Sequence, residues 1–182
     1  AACARGQQWQ RALCLLSHAW ESDLEPNVAV CTAAISACER GRKWRTALAL
    51  LSHMRSRRIE ANVMACSSAV SACEKCDRWN WALLLLHQMW CISIEANIVT
   101  YNAAISACAK SRQWPQMLNL LAQARHATLT TDVVSFTAAM SGVKHLWKYA
   151  LQLFSDMQCT KVLPNTLTYM AMMSSITEAK DI

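Results

Sequence analysis

Asn97-Ile98-Val99-Thr100-Tyr101-Asn102-Ala103-Ala104-Ile105-Ser106-Ala107-Cys108 decides how the rest of the chain is organised, because versions of it return at a fixed interval. Asn27, Asn62, Asn97 and Asp132 each open a copy, 35 residues apart, and Asn165 opens a fifth after 33. Recurrence at such a period is the signature of stacked repeats, each packing on its neighbours rather than around one central core. With Val28, Val63, Ile98 and Val133 taken as position 1, complete units span 28–62, 63–97 and 98–132. A shortened unit occupies 133–165. Residues 1–27 hold a partial repeat, and 166–182 open another with its first helix only. Ala1 falls mid-pattern and both ends fall inside expected helices, as in a piece cut from a longer array.

Each unit reads as two helices. Helix A covers about thirteen residues, Val28 to Arg40 in the first full unit, with Asn27 as N-cap. Its body, Ala33-Ala34-Ile35-Ser36-Ala37-Cys38, is small and apolar, so a neighbouring helix can approach closely. A turn is expected at Gly41, with Gly6, Cys76 and Ser111 in the equivalent places. Helix B then carries Trp44, Ala47, Leu48, Leu50, Leu51 and Met54 at spacings that bury one face. Pro115 stands in the first turn of its helix B, where a missing N–H costs least. The shortened unit lacks two residues between Ala138 and Trp147, so its turn must be tighter, with Gly142 supplying backbone freedom. No alternating run of β-branched residues supports strands. The expected fold is an all-α, right-handed α-solenoid of two-helix, helix-turn-helix repeats.

Composition excludes several function classes. The chain of 182 residues is 54% hydrophobic and 16% charged, too apolar for disorder. Its longest apolar run, Trp81 to Leu86, is far short of the ~20 residues that span a bilayer. No N-terminal targeting segment is visible. A net charge of +6 permits a polyanionic partner without requiring one. Ten cysteines could suggest disulfides, but Cys3, Cys38, Cys73 and Cys108 share one apolar position in successive repeats, where a thiol acts as a small hydrophobe. That pattern suits a reducing compartment. Cys73-x-x-Cys76 is half a zinc site without a second pair, so no metal and no cofactor is expected. His18, His53, His87 and His126 have no paired carboxylate or nucleophile pattern, and no Gly-rich phosphate loop is present. No catalysis is expected in this segment.

Val-Thr-Tyr-Asn-Ala-Ala-Ile-Ser at 99–106 and Val-Ser-Phe-Thr-Ala-Ala-Met-Ser at 134–141 lack the Gly-x2-Tyr of tetratricopeptide repeats. With Ala-Leu-x-Leu-Leu/Phe-x-x-Met at 47–54 and 150–157, and Glu25-Pro26-Asn27 or Leu163-Pro164-Asn165 at unit ends, the whole chain resembles the pentatricopeptide repeat family in its plain, P-class form. It departs at Ala61 and Ala96, which replace the late Pro, and at the recurring Trp of position 17. The resemblance implies single-stranded RNA as partner, read one base per repeat. It also implies action in chloroplast or mitochondrion, in RNA stability, processing, editing or translation. It leaves room for other RNA-processing proteins as partners and points to no membrane and no small-molecule substrate. A catalytic domain, as some members carry, would lie outside this segment.

Positions 5 and 35 are then the implied base readers: Thr32 with Asn62, Ser67 with Asn97, Asn102 with Asp132, and Thr137 with Asn165, while Asn27 lacks its partner. In the family's code Thr-Asn and Ser-Asn favour A and Asn-Asp favours U, which gives a core target of 5′-AAUA-3′. An Asn amide offers a donor and an acceptor, as adenine does, whereas Asp only accepts, suiting uracil N3–H. The implied base clamps at position 2 are Ala29, Met64, Val99, Val134 and Leu167. The implied phosphate contacts near position 13 are Arg5, Arg40, Lys75, Lys110 and Lys144.

Duller readings compete with each. Asn and Asp are good helix caps, apolar residues at position 2 suit ordinary packing, and basic residues at a helix end suit the helix dipole. Thr32, Ser67, Asn102 and Thr137 are harder to dismiss, because they are poor helix formers in an otherwise apolar helix start. Trp9, Trp44, Trp79, Trp114 and Trp147 all open helix B and are read as core, not as base stackers; Trp20, Trp81 and Trp90 share no position. A protein-interaction scaffold, like the tetratricopeptide family, is the competing function.

Overall fold

The computed structural model describes residues 8–21, 27–127, 131–143 and 146–177. Ten α-helices and no strand occur among them. The chain divides into two compact units, residues 1–100 and 101–182.

In the first unit α1 (Gln8–Glu21) is followed by two helix pairs, α2 (Val28–Arg40) with α3 (Trp44–Ser56) and α4 (Val63–Glu74) with α5 (Trp79–Cys91). The A helix α2 packs on α1, on its own partner α3 and on the next A helix, α4. Small residues make that three-way packing possible. Cys31, Ala34, Ile35 and Cys38 of α2 are buried, as are Ala65, Ala69, Val70, Ala72 and Cys73 of α4. The B helices supply the larger side chains, Leu50 and Met54 from α3 and Leu85, Leu86 and Met89 from α5. Each fully buried side chain of that size contributes about 1.5–3 kcal/mol by leaving water.

The second unit repeats the scheme with α6 (Ile98–Lys110), α7 (Trp114–His126), α8 (Val133–Gly142), α9 (Trp147–Cys159) and α10 (Thr166–Thr177). Here α8 packs on α7, α9 and α10. Phe136, Met140, Met117, Leu121, Leu153 and Met157 fill its interior. Pro115 lies in the first turn of α7, as its missing N–H requires.

Three A helices and three B helices end in the same way, with a left-handed residue that is not glycine. The left-handed residue after helix A is Arg42, Asp77 or Arg112, with φ of 54–56°. The following N–H then reaches back five residues, as Lys43 N does to Cys38 O at 2.9 Å. After helix B the left-handed residue is Arg58, Ser93 or Lys161, and Ile59, Ile94 and Val162 make the same back-reaching bond. Gly41, expected at the turn, has φ −78° and needs no special backbone. It is small for another reason: a Cβ there would lie 2.5 Å from Trp9 Cδ1.

Gly142 likewise corrects the expectation of backbone freedom. No described glycine has positive φ, and a Cβ on Gly142 would lie 2.7 Å from Met117 Sδ and 2.9 Å from Ala109 Cα. The shortened helix α8 is allowed to come close.

The tryptophans that open helix B are not core. Trp9, Trp44 and Trp79 are half-buried, and Trp114 and Trp147 stay 38% and 42% exposed. Two of them close the seam between consecutive B helices instead. Trp44 meets Trp81 with ring centroids 5.8 Å apart, and Trp114 meets Tyr149 at 5.7 Å. Lys43 and Arg78 place their charges over Trp9 and Trp44. Trp81, without a shared position in sequence, thereby gains a partner.

Candidate functional site

The five recurring Asn and Asp residues do cap their helices. Oδ1 of Asn27, Asn62, Asn97, Asp132 and Asn165 accepts the backbone N–H three residues on, from Val30, Ala65, Thr100, Ser135 and Thr168, at 2.8–3.0 Å. The bond satisfies one of the orphan donors of the first turn. It also pins the side chain, so that for each Asn the Nδ2 donor is the end left over. Among the described residues Nδ2 of Asn62, Asn97 and Asn165 has no protein hydrogen-bond partner.

The expected reading pairs come together inside each unit. In the first, Thr32 Oγ1 lies 3.3 Å from Asn62 Oδ1, and Ser67 Oγ 3.5 Å from Asn97 Oδ1. In the second, Asn102 Nδ2 donates to both carboxylate oxygens of Asp132, at 3.1 and 3.2 Å. Thr137 reaches Asn165 through an intermediary: its hydroxyl is 3.0 Å from Thr168 Oγ1, which lies 2.9 Å from Asn165 Oδ1.

The intermediary recurs at one position, which the repeat pattern of the sequence did not single out. Thr100, Ser135 and Thr168 all stand at position 3, and all are fully buried. Thr100 Oγ1 sits between Ser67 Oγ and Asn97 Oδ1, 2.9 Å from the latter. Ser135 Oγ sits between Asn102 Oδ1 and Asp132 Oδ1. The signal was available, since a hydroxyl follows Val or Leu at 99–100, 134–135 and 167–168. Ala65 breaks it, and there Thr32 donates to its own helix, to Val28 O at 2.7 Å.

Position 2 is not packed away. Met64, Val99, Val134 and Leu167 are 56–61% exposed, and Ala29 is exposed too. Large apolar groups held in water beside paired polar ones suit contact with a flat apolar ligand face. Of the basic residues, Arg40 and Lys110 are exposed, while Lys75 pairs with Glu39 at 2.8 Å. A partly exposed pair of this kind contributes at most about 1 kcal/mol, so a phosphate could displace Glu39. Arg5 and Lys144 lie outside the described residues.

The repeated thiols are inert packing groups. Burial pushes the Cys73 thiol up to about 12, helped by neighbouring Cys76, and the Cys108 thiol up to about 11. All nine described cysteines are free. No cluster of three His, Cys, Asp or Glu side chains occurs among the described residues, and no described helix is long and apolar enough to cross a membrane.

A family model described as "Pentatricopeptide repeat domain" matches residues 14–75, and one described as "PPR repeat" matches 99–125. No curated protein sequence matches the chain. Among solved structures, the chain is similar to the pentatricopeptide repeat protein PPR10 in complex with an 18-nt psaJ RNA element, with a TM-score of 0.72 at 15% identity over 91% of this chain. It spans about a quarter of PPR10, 26%. The PPR domain of Arabidopsis thaliana protein-only RNase P 1, in complex with tRNA, matches with a TM-score of 0.75 at 12% identity, over 100% of this chain and 94% of that one. Nuclear proteinaceous RNase P 2 from A. thaliana matches with a TM-score of 0.80 at 11% identity, over 98% and 41%. At these identities the likeness is one of fold.

Proposed function

Because the chain belongs to the pentatricopeptide repeat family, we propose that it binds single-stranded RNA, one repeat to one base, with 5′-AAUA-3′ as its core target. The observation that carries this is the meeting of position 5 with the Asn or Asp of position 35, flanked by exposed apolar side chains at position 2. That PPR10 and the PPR domain of protein-only RNase P 1 were each crystallised with RNA supports the same reading.

Hydrogen-bond chemistry supports that choice of bases. An Asn whose Oδ1 already caps a helix reads with Nδ2, a donor. It suits a ring nitrogen that accepts, such as adenine N1, and opposes the N1–H of guanine or the N3–H of uracil. Asn62, Asn97 and Asn165 are of this kind. Asp132 can only accept, and among the described residues its Oδ2 has a single protein partner, Asn102, so it takes the N3–H of uracil. Met64, Val99, Val134 and Leu167 lie against base faces, and Arg40, Lys75 and Lys110 against phosphates, which makes binding salt-dependent. The catalytic or regulatory outcome belongs to the longer protein, in RNA processing, stability, editing or translation in chloroplast or mitochondrion.

Titration with oligonucleotides carrying 5′-AAUA-3′, or the same bases scrambled, tests the proposal. Each mismatch should cost about 1–3 kcal/mol, so two mismatches should weaken binding at least tenfold, roughly. Equal affinity for both, or no binding at low salt, would point instead to a protein-interaction scaffold.

A further inference from the structure

We infer that the position-3 hydroxyls of Thr100, Ser135 and Thr168 are specificity-positioning groups, fixing which end of the neighbouring reader faces the base. The inference rests on the base-reading proposal and adds residues that take no part in it. Thr100 acts on Asn97, Ser135 on Asn102 and Asp132, and Thr168 on Asn165. Ala65 leaves Asn62 without such a group.

An Asn amide turned by 180° about its last bond exchanges donor and acceptor at almost no steric cost. A reader that does this stops opposing guanine and starts accepting it. What resists the turn is the set of donors aimed at Oδ1. At Asn97 two lie within 3.0 Å, the Thr100 N–H at 3.0 Å and the Thr100 hydroxyl at 2.9 Å, with the Ser67 hydroxyl farther off at 3.5 Å. A hydroxyl has one proton, and Thr100 is free to spend it on Asn97 because Ser67 can donate to the Thr100 oxygen from the other side. At Asn165 the same arrangement recurs: the Thr168 oxygen accepts the Asn165 backbone N–H at 3.2 Å and can accept the Thr137 hydroxyl at 3.0 Å, which leaves its proton for Asn165 Oδ1. Chains of this sort strengthen one another, and buried ones hold their geometry.

Ser135 performs the same task on a different reader. Its hydroxyl meets Asn102 Oδ1, which leaves Nδ2 to face the Asp132 carboxylate. The first junction supplies the internal control. Asn62 Oδ1 has the Ala65 N–H at 2.8 Å, but the Thr32 hydroxyl, 3.3 Å away, already donates to Val28 O at the shorter distance of 2.7 Å. Asn62 therefore turns more easily than Asn97, and the first base is read less strictly than the second.

Two measurements on the whole chain test this. The first is affinity for RNA carrying 5′-AAUA-3′ with A changed to G at the first or second base, for wild type, Thr100→Val, Thr100→Ser and Ala65→Ser. Thr100→Val, close in shape, should lower the A-over-G ratio at the second base by roughly two- to tenfold, the range of one modest hydrogen bond, and leave the third and fourth bases alone. Thr100→Ser should keep the ratio. Ala65→Ser should raise it at the first base, and decides the matter should Thr100→Val not fold. The second measurement needs no RNA: NMR order parameters of the side-chain amides, high at Asn97 and lower at Asn62, with Asn97 falling to the Asn62 level in Thr100→Val. An Asn97 amide that stays ordered in Thr100→Val overturns the inference whatever the RNA does. Lost order with an unchanged second-base ratio overturns the effect on specificity alone. Wild type that distinguishes A from G at no register overturns base reading itself, and is recognisable because the amide result still stands.

Discussion

Asn102 and Asp132, thirty residues apart in the chain, face each other so that one amide donates to both oxygens of one carboxylate, at 3.1 and 3.2 Å. The pair leaves Asp132 with room for one further donor on Oδ2, which is what uracil N3–H supplies.

Removing the amide should change the base. In Asn102→Ser the carboxylate keeps its cap bond to Ser135 N but loses the Nδ2 donor. Guanine offers N1–H and N2–H side by side, which a freed carboxylate accepts together. The third base should move from U toward G, by about 1–3 kcal/mol in relative affinity. Competition between oligonucleotides differing only there measures it, and an unchanged preference for U would show that the register is misassigned.

Gly142→Ala should destabilise the second unit without touching base preference. The new methyl would meet Met117 Sδ, which can swing away, and Ala109 Cα, which cannot. Overpacking of this kind costs about 1–3 kcal/mol. A urea midpoint equal to wild type would mean that α6 and α8 are farther apart than described.

Ser93→Gly should do the opposite. Ser93 sits at φ 57° after α5, a conformation that strains an L-residue. Glycine relieves it, less its extra freedom in the unfolded chain, for a net gain of roughly 0.5–1 kcal/mol. A lowered melting temperature would count against the left-handed turn.

Buried thiols set an alkaline limit. An unfolded cysteine ionises near 9, whereas the folded chain holds Cys73 neutral up to about 12 and Cys108 up to about 11. Between those values the unfolded state binds fewer protons, so stability is unaffected by these thiols below pH 9 and falls as pH rises above it. Denaturation midpoints from pH 7 to 10.5 should fall only over the upper part of that range. Cys73→Ala should show a shallower fall. Thiol reagents at pH 8 should label Cys14, Cys91 and Cys159 well before Cys73.

Helix existence and limits were legible because period and capping agreed: α2 runs from Val28 to Arg40, as Asn27 and the apolar spacing require. The turns were less so. Glycine is the usual sign of a left-handed residue, but here Arg42, Asp77 and Ser93 take that conformation while Gly41 answers to Trp9 in the preceding repeat. The tryptophans misled because size suggests burial, whereas their partners, Trp81 and Tyr149, lie one repeat away. The Glu39 partner of Lys75 lies 36 residues back, beyond what local pattern reading reaches. Position 3 was hidden for a related reason. Its hydroxyls look like ordinary first-turn residues until the neighbouring repeat is laid beside them.

The two residues missing from the unit at 133–165 were lost at the far end of α8. Its first turn keeps the cap from Asp132 to Ser135 and the contact of Thr137 with Thr168, and α9 keeps the same thirteen residues as α3 and α5. If the proposed readout holds, loss or gain of residues at that end leaves the message in frame. The same change between Asn97 and Asn102 would skip a letter, so drift in length should be tolerated at one end of these helices and purged at the other.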